Sequence, residues 1–486
     1  MVGLLCVRCS GGTCSGADCL STDGGGDVNV DGAPDSDVVV PPSCDLSADL
    51  PASPSCIDDG IGIFVDATSG DDTNPGTRAR PVKTIGAAVG IVGAKPRIYV
   101  CEGTYAEDVS LTQSNAVSLY GGLACGTWTY SGKLPVVGKS TLALHIAGAQ
   151  KPLVLSDLAF QSADATQPGE SSIAALVTGS TDITLRRVRL RAGAGHDGAP
   201  GVTGSNWTTV AQSDPSIRGN SASGGTGGAS HTCALCADAV QSTGGMGGNG
   251  GLLAATSGGD GAPSLQGKAP ADGKGGASGC VAGDDGANAS AAIPAPGATT
   301  LGKLSANGWL PTGGGGGPNG SPGQGGGGGG GTGGLSSGAG GGAGGGCGGC
   351  GGAGGKAGSG GGASVALAVM TSKVTVAAGD LGVGTPGAGG SGSAGQDGQP
   401  GGYSGVASSP GCAGGNGGTG AKGGSGGGGA GGIAIGVVYT DQAPVVDTAT
   451  TITVPSSGGV KGTGGSPGVN DGLDGLAQPT LQVTGA

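Results

Sequence analysis

Ser172-Ile173-Ala174-Ala175-Leu176-Val177 runs into Thr181-Asp182-Ile183-Thr184-Leu185 and then into Gly193-Ala194-Gly195. The same order returns at Ser364-Val365-Ala366-Leu367-Ala368-Val369, Ser372-Lys373-Val374-Thr375-Val376 and Gly384-Thr385-Pro386-Gly387. A third copy is Ile433-Ala434-Ile435-Gly436-Val437-Val438, Thr450-Thr451-Ile452-Thr453-Val454 and Gly458-Gly459. A short β unit that recurs after long insertions, each time beside a glycine tract, is the pattern of stacked solenoid coils whose glycine arms leave from one edge.

Composition divides the chain between these coils and the arms. Of 486 residues 122 are Gly and 2% are aromatic, so most of the length cannot build an ordinary core. Residues able to be buried concentrate in 62–190, 363–381, 432–454 and 479–483. The expected organisation is a flexible Cys/Gly/Asp-rich tether over 1–56, coils with a capping helix over 57–191, and a glycine-rich insertion over 192–362. A coil over 363–383, a second insertion over 384–431 and terminal coils over 432–486 with a short Gly-rich loop complete it. A net charge of −12 argues against a nucleic-acid partner, which requires clustered Lys and Arg.

Fourteen cysteines against three histidines point to disulfides, and so to an oxidising compartment. Cys44 with Cys56 and Cys101 with Cys125 form local couples, and Cys-x-x-Cys occurs at Cys6/Cys9, Cys233/Cys236 and Cys347/Cys350. Repeated Cys-x-x-Cys also suits zinc or a redox dithiol. The two later motifs lie in glycine tracts without a βαβ context, which favours disulfides, with connectivity left open. Met1-Val2-Gly3-Leu4-Leu5-Cys6 resembles the tail of an export segment without its basic start, and Cys6 is a candidate lipid anchor although Leu5 replaces the small residue expected there. No stretch is long and apolar enough for a transmembrane segment.

The first coils carry more detail. Ile61 to Val65 reads as a strand, Gly70 to Thr77 as turns, and Val82 to Val92 as a helix, with Ile85, Val89 and Val92 at helical spacing. Short strands follow at Arg97 to Cys101, Val109 to Leu111, Val117 to Gly122 and Leu142 to Ile146. Val65-Asp66, Gly70-Asp71-Asp72-Thr73-Asn74-Pro75-Gly76-Thr77, Pro81-Val82-Lys83-Thr84-Ile85, Ile98-Tyr99-Val100 and Gly103-Thr104-Tyr105 together resemble the opening of right-handed parallel β-helices of the pectin lyase-like superfamily. That resemblance implies an all-β solenoid whose helix caps the first coil. The whole chain is also similar to glycine-rich, PE-PGRS-like exported bacterial surface proteins, without their PE-type helical module. From Ile183 to Leu190 the apolar parity switches near Arg186-Arg187, as at a corner between two faces.

Within the arms Gly recurs every third residue, unbroken from Gly411 to Gly432. Three residues per turn is the period of a polyproline II-type helix. A collagen triple helix would need longer runs and more Pro. An intrachain polyglycine II bundle, stapled by Cys233, Cys236, Cys280, Cys347, Cys350 and Cys412, competes with flexible Gly/Ser chain.

The search for chemistry yields no catalytic, cofactor-binding or metal set. Asp66, Asp71 and Asp72 and the pair Asp284-Asp285 sit in turn sequences, where Asp bends and caps the chain. His145, His196 and His231 are scattered, and Gly-x-Gly-x-x-Gly matches carry no weight in a chain so rich in Gly. The one surface feature unusual for an acidic chain is a ladder of Arg187, Arg189 and Arg191, with Arg186 at the corner. It would bind an anionic polysaccharide, pair with acids of the next coil, or, as is commoner for such a run, form a solvated face. The expected function is that of a non-catalytic extracellular or cell-surface structural or adhesive protein that binds polysaccharide or another cell's surface. The alternative is a carbohydrate-active β-helix enzyme of lyase or hydrolase type.

Overall fold

The computed structural model describes residues 44–485, apart from 266, 267, 270, 271 and 335–337. Its main body is a solenoid of three parallel sheets. The first has seven strands, Gly62–Val65, Arg97–Cys101, Ser118–Leu123, Leu153–Ser156, Ile183–Arg186, Val374–Ala377 and Val445–Val446. The second has six, Val109–Thr112, Leu142–Ala147, Ser172–Thr178, Ser364–Met370, Ala434–Tyr439 and Ala477–Gln482. The third also has six, Thr104–Tyr105, Val136–Val137, Ala159–Gln161, Arg189–Arg191, Asp380–Gly382 and Thr451–Thr453. Each coil visits the first, third and second sheets in turn.

Side chains stack along the coil axis by type. Ile63, Ile98, Leu119, Leu155, Leu185, Val376 and Val446 form one interior row of the first sheet. Tyr105, Val137, Phe160, Leu190, Leu381 and Ile452 form the row of the third. Leu111, Ile146, Val177, Val369 and Tyr439 form that of the second. All three rows belong to one core cluster. β-Branched and leucine side chains fill most of a narrow interior, with rings only at Tyr105, Phe160 and Tyr439, which is how so aromatic-poor a chain closes its core.

The repeated units occupy neighbouring coils. Ile173 pairs with Val365, and Val365 with Ile435, so the third copy sits one residue later than its alignment by sequence. The parity switch is a real corner at Arg187, with φ of 48°. Asp157 and Ala378 hold the same left-handed conformation at φ 59° and 52°, and Asp157 N–H donates to Arg186 while Arg187 N–H donates to Ala377. Left-handed backbone costs a non-glycine residue about 1–2 kcal/mol, so these corners are held by their surroundings.

The helix, Ile85–Ile91, is shorter than its sequence pattern. Thr84 caps it by accepting the Ala87 N–H, and Ile85 and Ala88 are buried in the core beside Ile63, Val65 and Val100. Residues 44–56 are not tether-like. Leu50 and Cys56 are fully buried against Phe64, Tyr99, Tyr120 and Trp128 on the outside of the first sheet. The expectations made for Cys6 and Cys9 lie outside the described residues.

The outside of the second sheet is apolar too. Ile173, Leu176, Val365 and Ile435 pack against Leu304 and Trp309 of the hairpin Gly302–Ser305/Gly308–Pro311, which covers them.

Candidate functional site

Every long glycine segment leaves the solenoid at the corner between the third and second sheets: after Arg191, after Gly382 and after Thr453. Outside that corner the segments bond to one another chiefly through backbone. In 313–333, Gly314, Gly317, Gly320, Gly323, Gly326 and Gly329 donate to 340–362. The intervening residues donate to two further segments, Gly315, Gln324, Gly327 and Gly330 to 281–298 and Gly325, Gly328 and Gly331 to 256–262. Its carbonyls accept from Gly245 and Gly248, from Gly276 and Gly279, and from 411–433 at Gly415, Gly418, Ala421, Gly424 and Gly427. One extended segment thus has six neighbours, each contacted at three-residue intervals. Because the backbones touch, a Cβ on Gly345 would lie 2.0 Å from the Gly326 oxygen, and one on Gly326 would lie 2.1 Å from the Gly415 oxygen. Glycine is required there by space, not by turn geometry.

Disulfides join this body at three places: Cys233–Cys347, Cys236–Cys350 and Cys280–Cys412. The later Cys-x-x-Cys motifs are therefore bonded to each other, not within themselves. Cys44–Cys56 and Cys101–Cys125 fasten the start of the solenoid. His231 lies close to Cys233 and Cys347, and Asp66 close to Cys101 and Cys125. In both groups the sulfurs are spent in disulfides and are not thiolate ligands.

The most site-like surface is a groove on the third sheet at the corner where the arms depart. Two adjoining clefts of about 290 and 610 Å³ share Gln161, Ser162 and Ala163. Thr104 and Lys139 line one end, and Asp164, Arg191 and Thr385 the other. Arg191 Nη2 lies 2.6 Å and Arg189 Nε 3.3 Å from the same Asp380 carboxylate oxygen on the next coil. Burial raises the Asp380 pKa, but the hydrogen bond and charge of Arg191 outweigh it and hold the carboxyl below its usual range. Two guanidinium groups on one carboxylate leave a surplus positive charge.

Arg187 does not belong to this ladder. The left-handed corner turns it to a different pair of acids, and its five contacts go to Asp157, Asp49 and Ser156. Asp157, with 2% of its side chain exposed, also accepts from the Tyr130 hydroxyl. Alternation along the strand placed Arg187 outward with Arg189 and Arg191; a left-handed residue breaks that alternation. Asp49, which no sequence pattern singles out, is its half-buried partner from the segment outside the first sheet.

The acids beside the helix build turns. Asp66 accepts from Thr68 and Ser69, Asp71 from Thr73, and Asp72 from the Lys83 and Thr84 N–H groups. For Asp66, burial raises the pKa, yet the Ser69 and Thr68 hydrogen bonds leave it lowered. In the glycine body, Asp285 accepts the Asn416 N–H. His145 stands on the second sheet beside Leu176 with its Nε2 buried and unbonded, and burial lowers its pKa. His196 and His231 contact backbone carbonyls of Asp197 and Arg218.

A family described as "Protein of unknown function (DUF1565)" matches residues 68–141, within the first coils. This family is associated with β-helix proteins, and the match and the parallel sheets fit a β-helix. No curated protein and no solved structure gives a match. Among the described residues no helix is long and apolar enough to cross a membrane, and the disulfides suit an oxidising compartment.

Proposed function

We propose that this is a secreted or cell-surface adhesive protein: a right-handed, pectin lyase-like β-helix that carries a polyglycine II bundle and binds acidic polysaccharide without transforming it. The observation that supports this reading most is the construction of the glycine body. Segments from three successive coils leave one corner and bond side by side at three-residue intervals. Such a body is a rigid projection whose interior is mostly backbone, and it suits presentation at a surface.

The ligand class rests on the third-sheet groove, whose clefts are lined by two cations, Lys139 and Arg191, against one carboxylate, Asp164, with Arg189 beside Arg191 sharing Asp380 with it. The acids near the helix are engaged in turn hydrogen bonds, and Asp260, one of two carboxylates lining a cleft of the glycine body, is paired with Lys274, so neither set is offered as an acid and base. Titration of the full chain with polygalacturonate and with a neutral glucan separates the readings. Retention of the acidic polymer, weakened about tenfold in Arg189→Ala/Arg191→Ala, is the expected result. Equal indifference to both polymers would overturn the ligand class, and release of shorter or unsaturated sugars would replace adhesion by catalysis.

A further inference from the structure

Cys233 is bonded to Cys347 and Cys236 to Cys350, at Cα separations of 6.2 and 5.5 Å. Each cysteine has another three residues away and is joined instead to one 114 residues away. The backbone explains the choice. Along 340–362 every third N–H goes to the same neighbour, so three residues make one turn. With a rise of about 3.1 Å per residue, the Cα atoms of Cys347 and Cys350 stand roughly 9 Å apart. A disulfide spans only about 4.4–6.8 Å between Cα atoms. The folded body therefore excludes a local bridge in this motif.

In the unfolded chain the preference reverses. Closing a loop of a few residues is favoured over closing one of more than a hundred by a factor on the order of a hundred. Oxidation before folding thus favours Cys233–Cys236 and Cys347–Cys350; the second does not fit the folded segment, and the first ties up the sulfurs that Cys347 and Cys350 require. In that structure Cys347, Cys350, Cys233 and Cys236 are 0, 3, 5 and 9% exposed, so repair has to precede closure of the bundle.

We infer that these four cysteines are a substrate site for a thiol–disulfide isomerase, and that maturation passes through exchange there. The isomerase thiolate attacks Cys233 Sγ, breaking the Cys233–Cys236 bond, forming a mixed disulfide and releasing the Cys236 thiolate. That thiolate attacks Cys350 Sγ, making Cys236–Cys350 and releasing the Cys347 thiolate. Cys347 then displaces the isomerase from Cys233, making Cys233–Cys347 and regenerating the starting thiolate. Two disulfides enter and two leave, with no net electron transfer.

The test exports the full chain into the oxidising compartment of host cells that contain or lack a disulfide isomerase, followed by alkylation of thiols and peptide mapping. Without the isomerase, the local pairs should dominate and the native pairs should fall about tenfold. Equal native pairing in both hosts, or native pairing in neither, overturns the inference. If the chain is not recovered from the isomerase-free host, the variant Cys233→Ala/Cys236→Ala/Cys347→Ala/Cys350→Ala decides. Its equal recovery from both hosts supports the inference, and its loss assigns the requirement to other cysteines and overturns it.

Discussion

The glycines of the bundle differ sharply in what they tolerate. A Cβ on Gly345 meets a backbone oxygen that cannot turn aside, whereas one on exposed Gly316 has nothing within 4 Å. Gly345→Ala should therefore lower stability by about 1–3 kcal/mol, the range for forced overpacking, or more if the segment is displaced. Gly316→Ala should leave the thermal midpoint within error, and both follow from calorimetric melts. At the corner, Asp49 gives a pH signature. Burial raises its pKa, but Arg187 and Arg186 lower it further, so the folded value lies beneath the ordinary 3.8. A depressed carboxyl contributes stability that is complete above its unfolded pKa and is lost as pH falls through the folded one. Residues 44–61 should thus stay docked near neutrality and loosen below about pH 3.8, read by protease cleavage in that segment. Asp49→Asn should loosen them already at neutral pH, by about 1–2 kcal/mol for a partly exposed charged contact.

Among the elements, the helix is the one whose stability rests on a single distant side chain. It has seven residues, too few to stand alone, and its first two N–H groups, from Ile85 and Gly86, donate to the two oxygens of Glu107 at 2.8 and 2.9 Å. Glu107→Ala should cost about 1 kcal/mol by loss of this cap and its charge at the helix N-terminus, with Glu107→Gln costing less, as chemical denaturation would report. Periodicity in 82–92 was enough to predict the helix. Its start at Ile85 depends on Thr84 and Glu107, a pairing that no local pattern contains. The strands were legible for a similar reason: interior rows of Ile, Leu and Val leave a period-two trace. Residues 44–56 were not, because turn-forming Asp, Ser and Pro dominate them, while Leu50, Cys56, the disulfide to Cys44 and the distant partners of Asp49 hold them down.

Across the whole molecule, two kinds of order share one corner. In the solenoid, side chains choose the fold and the backbone follows; in the glycine body, the backbone bonds directly and only a few side chains, such as Gln324, Gln399 and Cys347, are buried. The first kind could be read from Ser172–Val177 and its repeats. The second left bundle and flexible chain both open, since a Gly every third residue fits either, and six cysteines supplied the hint. The groove could not be foreseen, because Asp164, Arg191 and Thr385 meet only when successive coils stack. Amide hydrogen exchange of 313–333 and 340–362 tests this account most directly. Protection of glycine N–H groups such as Gly320 and Gly352 comparable to that of Val177 and Leu367 in the core strands is the expected result. Complete exchange within seconds at those glycines, with the solenoid strands still protected, would contradict it.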